Sequence, residues 1–477
     1  MEENTLLKEN PEAVDKKPSV WKELKNAIRG TEADYTKIGL KRAIFLLGVP
    51  MILELVMEST FAVVDIYFVG KLGASAVATV GLTETYLFLL YSIGMGLSMA
   101  VTAVVARRIG EKNFKDAGSS AVQSIFLALL AAAPFAVAGI FYSKELLELM
   151  GGDAWTINNG YVYTQWMLGG NAVIMLLFVI NSIFRGAGDA AIAMWILFIS
   201  NGINIILDPV LIFGWGPFPE MGIEGAAIAT NIGRGAGVLV QLWVLFKGGK
   251  HIRILLKQIK WNKEDMKAIF KTSLGGVAQM IIAMTSWIFL MRILSYVGSE
   301  AVAGATIAMR IMMFTLMPAF GLSNAAATLV GQNLGANDPD RAESSVWKIG
   351  TYNTIFLVAV AILYFFYNEQ MMGIFTNDRQ VIDIGGEWLK IVSYSYFVYG
   401  WWMVATQAFN GAGDTKTPTM INLVFFWLIQ IPLAYILGIE LDWQQSGVFW
   451  AVFISETTVG LFTLWLFTKG KWKNVKV

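Results

Sequence analysis

The sequence predicts an all-α integral membrane protein with twelve transmembrane helices in two pseudo-symmetric six-helix bundles, and three observations carry that prediction. Of 477 residues, 56% are hydrophobic and only 15% charged, against about 25% charged in soluble domains, and the mean hydropathy is +0.57. Twelve apolar segments follow one another without the two-residue alternation of a membrane β-barrel. A shift of 225 positions (298 minus 73), which carries Gly73 onto Gly298, lays the second half of the chain on the first.

Taken in order, residues 1–43 are polar and mixed in charge, with no apolar core behind a basic start. They read as a cytoplasmic tail, not a cleavable signal peptide. The spans follow at 44–69, 77–106, 119–142, 156–184, 191–214, 223–246, 268–296, 302–332, 345–367, 383–409, 418–438 and 446–468. A bilayer-crossing helix needs about 20 apolar residues. The expected organisation is therefore a six-helix lobe over 44–246, a basic linker over 247–267, a second lobe over 268–468 and a tail over 469–477.

Loop charge orients the chain. Even-numbered connections hold Arg107, Arg108, Lys112, Lys115 and Arg185, then Lys247, Lys250, Arg253, Lys257, Lys260 and Lys263, and the tail adds Lys469, Lys471, Lys473 and Lys476. Odd connections are acidic, with Glu145, Glu148, Asp153, Glu220, Glu224, Glu300, Glu440 and Asp442. By the positive-inside rule both termini lie in the cytoplasm. The linker reads as an amphipathic, solvated connector able to touch anionic lipid.

The 225-residue shift also matches Gly321-Leu322-Ser323 to Gly96-Leu97-Ser98, Gly335 to Gly110, and Gly411-Ala412-Gly413-Asp414 to Gly186-Ala187-Gly188-Asp189. Six spans per repeat is an even number, so the halves share one orientation about an axis along the membrane normal. Alternating-access carriers are built in this way. The GAGD segments read as tight structural turns.

Composition also excludes chemistry. With no cysteine there is no disulfide, thiol nucleophile or thiolate metal site, and the single histidine, His251, rules out a multi-histidine cage. No serine-hydrolase or phosphate-loop motif occurs, so neither an enzyme nor a cofactor is expected. A net charge of +1 gives no pointer to nucleic acid.

The first span carries Glu54, Glu58 and Asp65, four and seven positions apart, which places them within a sector of roughly 40° on one helix face. An ionisable side chain at mid-membrane costs about 2.5–3.5 kcal/mol on insertion scales. Such a stripe must face protein or a wet cavity, and it reads as a site for a cation or a proton. In the fifth span Asn204 and Asp208 stand at i and i+4, and Pro209 frees a carbonyl from its helical donor. Oxygen donors of this kind suit Na+, and the carboxylate alone suits H+. Glu84 and Arg310 are further intramembrane charges that could pair across the lobes. Pro50 is the expected bend of the first helix. A substrate cavity would draw on Met280, Met284, Trp287, Met309, Tyr394 and Tyr399, because methionine adapts its shape and aromatic faces attract cations.

Pro50 followed by VVDIYFVGKLG, the RGAGD and NGAGD turns after spans 4 and 10, and NxxxDP in span 5 make residues 40–470 resemble the multidrug and toxic compound extrusion (MATE) transporters. The DinF-like bacterial and archaeal branch is the most similar. The resemblance implies an antiporter that exports organic cations or other amphipathic compounds against inward H+ or Na+. It would sit as a monomer in the inner membrane of a bacterial or archaeal cell, with small molecules and the bilayer as its partners. The resemblance also implies that Asp65, Asn204 and Asp208 form the amino-lobe cation site, with Thr230 in GAAIATN as a further ligand. Glu54 and Glu58 are expected to share that site.

Other branches carry a helix 7 glutamate and, in one, a helix 10 aspartate, whereas the corresponding stretches here have neither. The 225 shift takes Asp65, Glu54 and Glu58 to Leu290, Gln279 and Ala283, so coupling is expected in the first half. The rival reading is a flippase of a lipid-linked substrate in the same broad fold. It would want a basic cavity, and the intramembrane charges here are mainly acidic.

Overall fold

The computed structural model describes residues 19–248 and 251–475. The expectations for the first eighteen residues, Lys250 and Lys476 lie outside the described residues. The rest is helical, with no strand among the described residues. A short helix α1 (Val20–Arg29) precedes α2 (Leu40–Gly70), α3 (Ala74–Gly110), α4 (Phe114–Leu149), α5 (Tyr161–Gly169), α6 (Asn171–Ala187), α7 (Ala190–Ile212) and α8 (Ile223–Lys247). The second half comprises α9 (Lys263–Val297), α10 (Ser299–Gly335), α11 (Pro339–Gly373), α12 (Arg379–Ser393), α13 (Tyr396–Ala412), α14 (Lys416–Asn422), α15 (Ile431–Tyr435) and α16 (Gln444–Thr468). The stretch Leu423–Gln430 between α14 and α15 and the stretch Ile436–Glu440 after α15 are π-helical, so 416–440 remains one span.

Among the described residues, 11 helical segments are long and apolar enough to cross a membrane. The expected span over 383–409 is missing from that set because it is broken. Its pieces, α12 and α13, have 15 and 17 residues and are joined at Tyr394 and Ser395. The first half has its counterpart 225 positions earlier, where α5 and α6 meet at Gly170.

The repeat extends to single dihedrals. Lys112 and Asn337 both have φ 59°, and Gly188 and Gly413 have φ 93° and 89°. Tyr142 and Tyr367 interrupt α4 and α11 with φ −129° and −123°. At Gly188 and Gly413 the left-handed backbone ends α6 and α13, which is why both GAGD turns carry glycine there.

One core fills the first half, with Leu87, Val101, Ile180 and Phe184, and another the second, with Leu294, Trp388, Phe449 and Val452. A third joins them and takes in Leu46, Leu47 and Met51 from the start of α2 with Leu329, Val330, Ile349 and Phe409. The first half of α2 thus packs on the second lobe, and its acid-bearing half on the first. The lobes meet through glycines placed symmetrically. A Cβ on Gly96 would lie 2.2 Å from the Val277 nitrogen, and one on Gly321 2.7 Å from the Ile52 Cα. Gly110 against Gln332 and Gly335 against Arg107 repeat the pattern, each with a carbonyl oxygen where a Cβ would go, at 2.0 and 2.2 Å. Only glycine allows this approach.

Burial follows the same axis. Along α3 from Gly94 to Gly110, and along α10 from Gly321 to Gly335, nearly every residue is covered, whereas Glu84, Thr85, Phe88, Arg310, Met313 and Phe314 nearer the other ends are exposed. The lobes are sealed together at the Gly110 and Gly335 end.

Linker and tails brace that end. Ile252 and Ile254 are buried, and Gln258 Nε2 donates to the Lys115 carbonyl at 2.7 Å. Gln123 Nε2 donates to the Lys260 carbonyl at 2.8 Å. Trp195 Nε1 donates to the Ile28 carbonyl of α1 at 2.8 Å. At the far end of the chain Trp472 is buried and stacks on Phe467 at 4.9 Å, and Arg107 donates to the Val475 carbonyl at 2.8 Å.

Candidate functional site

Because α2 places Glu54, Glu58 and Asp65 on one face, and that face turns into the first lobe, each acid meets a different neighbour. Glu54 is buried and accepts from Arg185 at 3.2 Å and from Asn181 Nδ2 at 3.3 Å. Asn181 is fixed in turn by Gln241 Nε2 at 2.7 Å. Glu58 accepts from Arg234 at 2.7 Å and from Asn201 Nδ2 at 3.0 Å. Arg234 on α8 is 5% exposed and lies 5.1 Å from the Phe61 ring. Two of the three acids are therefore neutralised by arginines, which pairs them structurally instead of leaving them open to an ion. Asp65 alone on that stripe accepts no hydrogen bond and joins no ion pair among the described residues. It lies within range of the charges of Glu84, Arg234 and Asp208.

Asp208, at 0% exposure, faces it from α7. Its Oδ1 accepts from Asn204 Nδ2 at 3.4 Å, and the same amide donates to Thr230 Oγ1 at 3.2 Å. The helical i, i+4 spacing brings Asn204 and Asp208 together. Close packing of α8 at Gly233, where a Cβ would sit 3.0 Å from that of Asn204, brings Thr230 in. Two acceptors are left over: Asp208 Oδ2 and Asn204 Oδ1 are buried without a partner. Leaving a buried acceptor unsatisfied costs about 1–3 kcal/mol, and more for a charged group. A proton on Asp208 or a cation between these oxygens would remove that penalty. No group of three or more histidine, aspartate or glutamate side chains suited to a metal occurs among the described residues, so Na+ would need the amide and hydroxyl oxygens as well. Buried Tyr163 of α5 lies within range of both Asp65 and Asp208.

Hydrogen bonds join Asn204, Asp208 and Thr230, and Asp65 lies within range of the Asp208 charge without touching them by a hydrogen bond. Glu54 lies a helical turn or more away in its own pair, and Glu58 joins the cluster only through the field of Arg234. Glu84 and Arg310 feel each other's charge without closing into an ion pair. Pro50 lies inside a continuous α2, at the edge of the part packed on the second lobe. Of the cavity candidates, Met284 Sδ accepts from Ser92 Oγ across the lobes at 3.4 Å, Trp287 packs on Trp388 at 6.1 Å and Tyr399 on Trp402 at 4.9 Å. Met280 and Met309 are half-buried. Tyr394 is 45% exposed and belongs to a separate cluster with Phe365, Trp450 and Phe453.

Sequence reading missed Arg234, whose partner lies on another helix, and treated Arg185 as loop charge. It also passed over Glu456. The lone acid of α16 was itself a signal: it is buried, and Ser395 Oγ lies 3.0 Å from its Oε2.

Residues 50–210 and 277–436 both match the MatE family, one copy in each half of the chain. The chain belongs to the MatE family. MatE proteins are transporters, not enzymes, and need no cofactor. The probable multidrug resistance protein NorM of Thermotoga maritima is 28% identical over 91% of this chain and 94% of its own length. The FAD transporter of Shewanella oneidensis is 25% identical over 89% and 94%. A solved MOP-superfamily transporter from Pyrococcus furiosus, whose report speaks of a reverse-polarity binding pocket, superposes with a TM-score of 0.83. It shares 23% identity over 94% of this chain and 98% of its own, and as a MatE neighbour it has the twelve-helix fold.

Proposed function

We propose that this protein is a secondary antiporter that exports amphipathic, mainly cationic compounds in exchange for inward H+ or Na+. The observation that carries the reading is the pair of unpartnered buried oxygens on Asp208 and Asn204 beside the unpaired Asp65. Two carboxylates in one partly dehydrated pocket hold their charge only at a cost, unless a proton or a cation compensates it. The name of the relative from Thermotoga maritima, a probable multidrug resistance protein, supports the substrate class, as do the methionines and tryptophans around Met284 and Trp287.

In the proposed cycle the lobes, 44–246 and 268–468, rock about their shared axis. With the basic connections and both termini on the cytoplasmic side, the sealed Gly110 and Gly335 end would face the cytoplasm, and this arrangement would correspond to an outward-facing state of the cycle. Coupling ions enter at Asp65 and Asp208, α2 repacks about Pro50, and substrate leaves. Return to the inward state releases the ion and admits new substrate. Coupling requires that ion and substrate prefer different states. The protein would act as a monomer in the inner membrane.

The test is efflux of a fluorescent lipophilic cation, ethidium, from proteoliposomes under separately imposed pH and Na+ gradients. Asp208→Asn and Asp65→Asn should each reduce gradient-driven efflux at least tenfold. Full gradient-driven transport by Asp208→Asn would refute the assignment.

A further inference from the structure

The middle of α16 holds a buried acid, Glu456, that pairs with no basic group among the described residues. Glu456 is 5% exposed, and its Oε2 lies 3.0 Å from Oγ of Ser395, itself fully buried at the break between α12 and α13. Tyr396 and Tyr399 lie within range of its charge. Tyr396 is 0% exposed and its hydroxyl has no hydrogen-bond partner. Its ring lies 5.8 Å from that of Tyr364 at a tilt of 54°, and the Tyr364 hydroxyl meets that of Thr315. These are the titratable groups that face the carboxyl.

No charged group on the other elements packed around α16 pairs with Glu456 among the described residues. Arg292 of α9 lies 4.9 Å from the Tyr296 ring, and Lys390 of α12 lies 5.0 Å from that of Phe365. Glu387 of α12 accepts from Ser446 at 2.5 Å, and Arg379 pairs with Glu369 and Asp383 at 2.9 and 3.0 Å. Lys416 of α14, Tyr435 of α15 and Glu440 make no hydrogen bond or ion pair with Glu456.

Ser395 has one hydroxyl hydrogen and two acceptors in reach, Glu456 Oε2 at 3.0 Å and the Val392 carbonyl at 2.7 Å. Turned toward Glu456, it satisfies a carboxylate. Turned toward Val392, it leaves its oxygen free to accept from a protonated Glu456. Both charge states are thus accommodated by rotating a single hydrogen, with no heavy atom displaced. The matching contact of the first lobe, 225 positions earlier, is neutral: Gly170 lies against Asn231. A purely structural tie at this break therefore does not call for an acid.

We propose that Glu456, held by Ser395 and bordered by the hydroxyls of Tyr396 and Tyr399, is a proton-binding site in the carboxy-terminal lobe, separate from Asp65 and Asp208. Its part in transport rests on the antiport reading above. Its titration does not.

The test is infrared difference spectroscopy of the full-length protein in lipid vesicles as pH is raised. The wild type should lose a carboxylic-acid C=O band that is absent from Glu456→Gln and retained in Asp65→Asn and Asp208→Asn. In Ser395→Ala, a milder change that keeps the acid, the band should move in frequency. A Glu456→Gln spectrum identical to wild type, or an unmoved band in Ser395→Ala, would overturn the site. Loss of ion-driven efflux is not read in this experiment, so the antiport proposal and this one fail independently.

Discussion

At the 225-residue spacing, Glu58, Arg234 and Asn201 of the first lobe correspond to Ala283, Val459 and Phe426 of the second. The first three are tied by contacts of 2.7 and 3.0 Å, and the second three share one apolar cluster. Glu54 and Arg185 likewise become Gln279 and Asn410, an ion pair in one lobe and two buried amides in the other. One backbone plan thus tolerates either solution, as expected when a buried ion pair and a well-packed apolar contact are close in free energy. Stability therefore does not explain why one lobe keeps the charges. Arg234 also lies within range of Asp65, so on the proposed reading the pair helps to set the field at the cation site.

The largest effect on this comparison should come from breaking that pair on one side. Glu58→Ala leaves Arg234 buried and unpaired and should destabilise by about 3–5 kcal/mol, seen as a lower thermal midpoint of the purified protein. The double change Glu58→Ala with Arg234→Val, which copies the second lobe, should recover most of the loss. A double variant no more stable than the single would mean that the two lobes are not interchangeable at this contact. Glu54→Gln should cost less, about 1–3 kcal/mol, because Asn181 and Gln241 remain to share hydrogen bonds and the Arg185 side chain keeps 15% exposure.

What the sequence made legible, and what it did not, divides along the same line. Hydropathy located the spans, and the repeat in glycines located the lobes, since both are properties of single segments. The i, i+4 geometry of Asn204 and Asp208 was readable because it lies within one helix. The partners Arg185 and Arg234 were not, because which arginine meets which acid depends on how helices rotate about their axes when packed. Glu456 was hidden for another reason: comparison with the acids of related branches directed attention to helices 7 and 10, and this acid stands on the twelfth span. The broken spans were read as continuous because neither a charged residue nor a proline marks the break at Gly169-Gly170-Asn171 or at Ser393-Tyr394-Ser395.

The smallest expected effect concerns the two GAGD turns. Asp189 receives Nδ1 of His251 at 2.7 Å and its backbone N–H at 3.1 Å, whereas Asp414 accepts from its own neighbour Thr417 at 2.6 and 3.1 Å. Burial works against charge on His251, but the Asp189 carboxylate outweighs it and holds the imidazole pKa above its ordinary value. A raised folded-state value means that the stabilisation is complete below the unfolded value, about 6.5, and fades as pH rises through the folded one. His251→Gln should therefore lower the thermal midpoint at acidic pH, by about 1–2 kcal/mol of stability, and matter less in alkaline buffer. A difference that does not change with pH would show that the imidazole stays neutral.

The short segment that follows α16 reaches back into the seam. Arg107 of α3 holds the Val475 carbonyl, Lys473 grips Glu343 of α11 at 2.5 Å, and Trp472 plugs the space beside Phe467. The segment after α16 therefore ties α3 of the first half to α11 of the second, and in the proposed rocking cycle those contacts would have to part before the lobes open on that side. A fusion partner or truncation here should alter how often the transporter turns inward, even though none of the segment's contacts involves Asp65 or Asp208.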